Sequence, residues 1–143
     1  MKIRIQDNSI RLRLTLREVE QFARDGSVAR RTQVVGPDGL GPVFTYRLDW
    51  DDSLEETKVE IAGGSIAVRL CPADRDMLLR EDEEGVYIRR EWVAPDGTIH
   101  RFMAFVEKDR PGSTCVKQEQ WVYDAPPHGA VETRSIPSKG GAR

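Results

Sequence analysis

The chain has 143 residues, with 22 Lys and Arg against 24 Asp and Glu, a formal net charge of -2, two cysteines and two histidines. That length suits one domain, and 38% apolar residues with a further 12 glycines support a packed core and exclude wholesale disorder. No apolar run reaches the roughly 18 residues of a membrane helix, no leader-like segment opens the chain, and two cysteines fit a reducing cytoplasm better than a disulfide scaffold.

From the N-terminus, Ile3 and Ile5 alternate with Lys2, Arg4 and Gln6, and Ile10, Leu12 and Leu14 alternate with Arg11 and Arg13. Period-two patterning predicts two half-buried strands. Asp7-Asn8 tolerates positive φ, so the strands should form a tight hairpin with Arg4 opposite Arg11 and Lys2 opposite Arg13. Thr15 followed by Glu18 is a capping box, and Gly26 is placed to close the helix after it. Two more strands, over 28–35 and 43–50, are expected around the turn Gly36-Pro37-Asp38-Gly39.

The pattern then repeats. KIRIQDNSIRLRLTLRE from Lys2 lies without a gap on KVEIAGGSIAVRLCPAD from Lys58, a shift of 56, and Ala94-Pro95-Asp96-Gly97 answers the first Pro-Asp-Gly turn at a shift of 58. A fixed period of this kind marks a duplicated unit. The second copy predicts a hairpin through Gly63-Gly64, a helix with Pro72 at its first position continuing over 73–80, and strands over 86–93 and 98–107.

The unit is β-β-α-β-β, used twice. We expect an α+β fold with a curved or barrel-like antiparallel sheet of 8–9 strands and two short helices, because the connections look too short for parallel crossovers. Residues 1–124 should form one domain, with repeats at about 2–50 and 58–107 and a final strand over 115–123. Residues 125–143, rich in Pro, Gly and Ser, read as a flexible tail.

The opening MKIRI, then Asn8-Ser9-Ile10-Arg11, Arg13-Leu14-Thr15 and Glu18-Val19, resembles the start of a family of small bacterial proteins known only as a domain of unknown function. Val106-Glu107-Lys108-Asp109 is similar to that family's closing segment, and the acidic stretch before Gly85 falls where the family has one. In the family this segment runs on through an aromatic residue to a nearby cysteine. Here Arg110-Pro111-Gly112-Ser113-Thr114 intervenes before Cys115. The resemblance implies a fold kept across bacteria and no activity.

Enzyme signatures are missing: no P-loop, GxGxxG, GxSxG, HExxH or CxxC motif occurs. His100 sits in an alternating strand and His128 in the tail, so we assign no catalytic residue, metal or cofactor. Asp49-Trp50-Asp51-Asp52-Ser53 superficially meets a calcium loop, but Leu54 stands where the sharp turn needs Gly, and an acidic connecting loop is expected. Trp50, Trp92 and Trp121 read as packing residues, and Cys71, the counterpart of Thr15, as a helix cap.

The first hairpin's polar face is unusual. Like charges directly opposite each other destabilise a pair by roughly 0.2–1 kcal/mol, so Lys2, Arg4, Arg11 and Arg13 need partners. Either acids such as Asp49, Glu60, Glu91, Glu107 or Glu119 supply ion pairs, or these cations, with Arg69, Arg89 or Arg101, hold an anionic ligand such as phosphate. The leading expectation is a non-enzymatic cytoplasmic binding or interaction module that self-associates or takes a small anion. Nucleic acid and membrane are not expected as partners. The rival is a phosphate- or polyanion-binding protein, or a metal-dependent phosphohydrolase, that uses the same basic face.

Overall fold

Residues 1–109 are described by a computed structural model; the strand expected over 115–123 and the tail from 125 lie outside them. The first hairpin joins β1 (Lys2–Gln6) to β2 (Ser9–Thr15) in the expected register, with Asp7 at φ 51° in its two-residue loop. The capping box then starts α1 (Leu16–Asp25). The Glu18 N–H donates to the Thr15 hydroxyl at 3.2 Å, and the Thr15 N–H donates back to the Glu18 carboxylate at 2.9 Å. Gly26 closes the helix at φ 79°, where a side chain would be strained. β3 (Ser27–Gly36) and β4 (Gly39–Trp50) follow, pairing further out towards their turn than the sequence predicts.

The second copy repeats the order: β5 (Lys58–Ala62), β6 (Ser65–Leu70), α2 (Pro72–Leu79), β7 (Gly85–Val93) and β8 (Ile99–Asp109). Cys71 occupies the N-cap position of α2 with the expected extended backbone, but its side chain makes no capping hydrogen bond. Thr57 takes over. Its hydroxyl accepts from the Cys71 N–H at 3.1 Å and donates to the Asp74 carboxylate, and a thiol is too weak an acceptor to compete.

The strands do not form one antiparallel sheet. They make two four-stranded mixed sheets, ordered β1-β2-β8-β7 and β3-β4-β6-β5, and the whole does not close into a barrel. β2 runs parallel to β8, and β4 parallel to β6. Short connections constrain only strands joined directly. Here each copy divides its two hairpins between the sheets, so the parallel neighbours come from different copies and whole elements serve as the crossovers. Exchanging β1, β2, β8 and β7 for β5, β6, β4 and β3 turns one sheet order into the other, as a duplicated unit requires.

One core fills the space between the inward faces. Leu12, Leu14, Ala104, Val106, Val86 and Ile88 come from the first sheet, Val28, Leu48, Val68 and Leu70 from the second, and Phe22 and Leu78 from the helices. Gly85 lets β7 press on β8: a Cβ there would lie 2.3 Å from the Val106 carbonyl oxygen. Two side chains bridge the sheets. The Tyr46 hydroxyl donates to the Met1 carbonyl at 3.0 Å, and Arg90 donates to the Thr57 carbonyl at 2.8 Å. Among the described residues no helix is long and apolar enough to cross a membrane.

The start of the chain is tied to α1 by charge. The Met1 side chain is fully buried, and its ammonium pairs with the Glu18 carboxylate, which also receives Arg30. Burial alone would push the Glu18 carboxyl up. Hydrogen bonds from the ammonium and from Thr15, with the ammonium's charge, outweigh that and hold it at about 2, against an ordinary 4.5. A carboxyl depressed on folding stabilises the folded state above its unfolded value. That stability should fade as pH falls from about 4.5 towards 2. Glu18→Gln should cost about 3 kcal/mol at neutral pH by leaving a buried ammonium without its counter-charge. Urea denaturation across this pH range should show the gap between wild type and variant closing on acidification.

Candidate functional site

Because Leu12 and Leu14 face the core, Arg11 and Arg13 project from the opposite face of the first sheet, beside Lys2 and Arg4 on β1. The four cations do come together: with Ile3 they line a cavity of about 250 Å³. Lys2 and Arg4 are exposed at its rim, Arg13 is half-buried and Arg11 is buried.

The buried end of this cluster is a carboxylate. The parallel register sets Arg13 opposite Glu107 and Arg11 opposite Phe105. Glu107 is only 1% exposed, yet its Oε1 lies 3.2 Å from Arg11 Nε and 3.7 Å from Arg13 Nη2. The Arg11 guanidinium also sits 4.9 Å from the centre of the Phe105 ring, whose other neighbour is Tyr87, edge-on at 5.8 Å. A buried charge survives only with counter-charge around it. One carboxylate thus supports two of the arginines while the pair at the rim faces the cavity.

Arg69 is not part of this group. It projects from the second sheet, where it pairs with Asp49 at 3.1 Å and Glu60 at 3.2 Å, and Arg47 reaches Asp49 at 2.7 Å. Arg101 pairs with Glu91 at 2.8 Å. Asp49 is the counterpart of Glu107 at the shift of 58, so each copy sets an arginine of its inner hairpin strand across from a buried acid.

The remaining candidates have structural partners. Asp51 accepts from the Ser53 hydroxyl at 2.6 Å and N–H at 2.9 Å, which holds its carboxyl below the usual range and makes the acidic connection a closed turn. His100 packs on the exposed Trp92, ring centres 5.4 Å apart. Trp50 lies edge-on to Phe22 at 5.0 Å, under the Arg75 guanidinium. Trp121 and Cys115 lie outside the described residues. Among the described residues no group of three His, Cys, Asp or Glu side chains could hold a metal ion.

The cations are readable from the hairpin alone, and Glu107 stands among the several acids that the sequence offers them. Phe105 is not, since only the parallel pairing of β2 with β8 brings it under Arg11. Glu107→Gln should therefore destabilise the protein by about 3–5 kcal/mol, because it removes the charge of a buried carboxylate that lies 3.2 Å from the buried Arg11. Arg11→Met with Glu107→Gln should cost less than the sum of the two single changes, as a double-mutant cycle in urea would show.

No curated protein and no solved structure matches the chain. Residues 1–125, which take in every strand and helix described above, match the model of DUF7009, a family of unknown function, and the chain belongs to that family.

Proposed function

We propose that the protein is a non-enzymatic binding module of the cytoplasm whose basic cavity on the first hairpin takes an anionic group such as phosphate. The observation that carries this reading is the convergence of Lys2, Arg4, Arg11 and Arg13 on one cavity of about 250 Å³, large enough for a phosphoryl group. Arginine and lysine serve phosphate differently: a guanidinium donates two parallel hydrogen bonds, an ammonium acts as a compact charge. Ion pairing behind Arg11 and Arg13 favours binding by fixing their planes, so less rotamer entropy is lost when an anion arrives. A catalytic reading asks for a free base or a metal-holding carboxylate here, and Glu107 is instead engaged with two guanidiniums.

Thermal-shift titrations with phosphate, tripolyphosphate and nucleotides, with and without Mg, test the proposal. Tripolyphosphate should raise Tm in a saturable way, as any ligand of the native state does. Lys2→Ala with Arg4→Ala removes only exposed side chains. It should leave the ligand-free Tm within about 2 °C while weakening binding about tenfold, the loss expected when rim charges worth roughly 1.4 kcal/mol go. No shift in the wild type, or the same shift in the variant, overturns the anion site. Mg-dependent release of phosphate overturns the non-enzymatic reading.

A further inference from the structure

The outer face of the first sheet is buried along its middle. β8 turns Ala104 and Val106 to the core, so Arg101, Met103, Phe105 and Glu107 point the other way. These four are nonetheless only 1–4% exposed. On the edge strands of the same face, Lys2, Arg4, Tyr87, Arg89 and Glu91 are exposed.

The second sheet shows that strand neighbours do not account for this burial. At the shift of 58, Met103 answers to Thr45, and their flanks match: Met103 lies between Ser9 and Arg89, Thr45 between Ser65 and Arg31. Thr45 is half-buried, whereas the larger Met103 is almost wholly buried. Arg101 is buried where its twin Val43 is exposed, and Phe105 is buried where its twin Arg47 is exposed. A cover therefore lies on the outer face of the first sheet and not on that of the second. Neither helix supplies it, since Phe22 and Leu78 place both on the core side. A strand added beside β1 or β7 would not supply it either, because it would extend an edge and leave the middle of the face as it was.

We infer that the cover is the chain's own continuation, residues 115–123, folded back along the outer side of β8. The chain runs on for 34 residues past Asp109, and the family match reaches 125, so this segment belongs to the same unit as the two sheets. Arg110-Pro111-Gly112-Ser113-Thr114 carries a proline and a glycine, residues that favour a turn. With those five as the turn, Cys115 comes back opposite Asp109, and every second residue after it meets the next outward side chain of β8. Lys117 then falls on Glu107, Glu119 on Phe105 beside Arg11, Trp121 on Met103 and Tyr123 on Arg101. The match is complementary at each step: ammonium on carboxylate, carboxylate beside guanidinium, ring on thioether, ring on guanidinium. Nine residues span about 30 Å at 3.3 Å each, enough to cover all four buried side chains. The basic cavity shares this face, over β1 and β2, and the inference does not depend on what binds there.

The test is NMR on the full chain, labelled in its methionine methyl groups, with a soluble gadolinium chelate as the relaxation probe. Met1, Met77 and Met103 give three signals with built-in references, since Met1 is buried in the core and Met77 is 42% exposed. Met103 should be protected as Met1 is, and equally so on dilution, because a cover from the same chain is not lost to mass action. Trp121→Ser with Tyr123→Ser should raise the relaxation of Met103 to the level of Met77 while Met1 stays protected. The unaltered chain should also show a nuclear Overhauser contact between the Trp121 ring and the Met103 methyl group. The inference is overturned if Met103 relaxes like Met77 in the wild type, or stays protected in a variant that also protects Met1. Protection that fades on dilution overturns it too, since a second copy would then be the cover. If the variant loses its fold, read as exposure of Met1, the Overhauser contact decides, and its absence overturns the inference.

Discussion

The parallel register of β2 against β8 is the constraint on which the rest of the molecule depends. It sews the first hairpin of one copy to the last hairpin of the other, and its twin, β4 against β6, does the same in the second sheet. Neither copy can bury its apolar faces alone, because each contributes half of both sheets. The same register puts a carboxylate behind two arginines that the hairpin by itself would force into repulsion. The like charges of the first hairpin are therefore tolerable only in the assembled sheet. Hairpin and sheet stand or fall together.

What could be read from the residues alone was what is local. Alternation fixed both tight hairpins and their registers, Thr15 and Glu18 fixed the start of α1, and the shift of 56 exposed the duplication. Parallel pairing was hidden, since it leaves no periodic trace in either strand, whether the partners lie 94 positions apart, as Ser9 and Met103 do, or 20, as Thr45 and Ser65 do. The same limit applied to the site. Lys2, Arg4, Arg11 and Arg13 could be grouped by hairpin geometry. Glu107 could not be singled out from the other acids, nor Arg69 assigned to the opposite sheet, until the strand order was known. Cys71 shows a different failure: the position was right, but its side chain makes no cap bond, and Thr57 takes only the bond from the N-cap N–H that Glu18 takes in the first copy.

Duplication also makes the differences between the copies informative, because equivalent positions share a backbone environment and only the side chain varies. Each copy ties the residue before its first strand to an acid in its helix. The first does so with a buried ammonium and Glu18, the second with the Thr57 hydroxyl and Asp74. A charged pair buried this way couples folding to pH, whereas a neutral donor gives the same connection with a much smaller desolvation cost. The geometry was retained and the electrostatics replaced.

The polar faces have diverged by the same route. On the outer faces, Arg4 and Arg11 of the first hairpin become Glu60 and Ala67 in the second, so cations gather on one sheet while Arg69 is neutralised on the other by Asp49 and Glu60. On the inner faces, Tyr46 becomes Ala104, which is itself buried in the core. On the outer faces the frame common to the copies, two hairpins and a helix, survives the change of charge. Leu12, Leu14, Val68 and Leu70, which bear the core, stay aliphatic in both. Elsewhere in the core the change is one of size and not of kind: Leu12 answers to Val68, Leu48 to Val106 and Phe22 to Leu78, so each copy keeps apolar groups at the positions that hold the two sheets together.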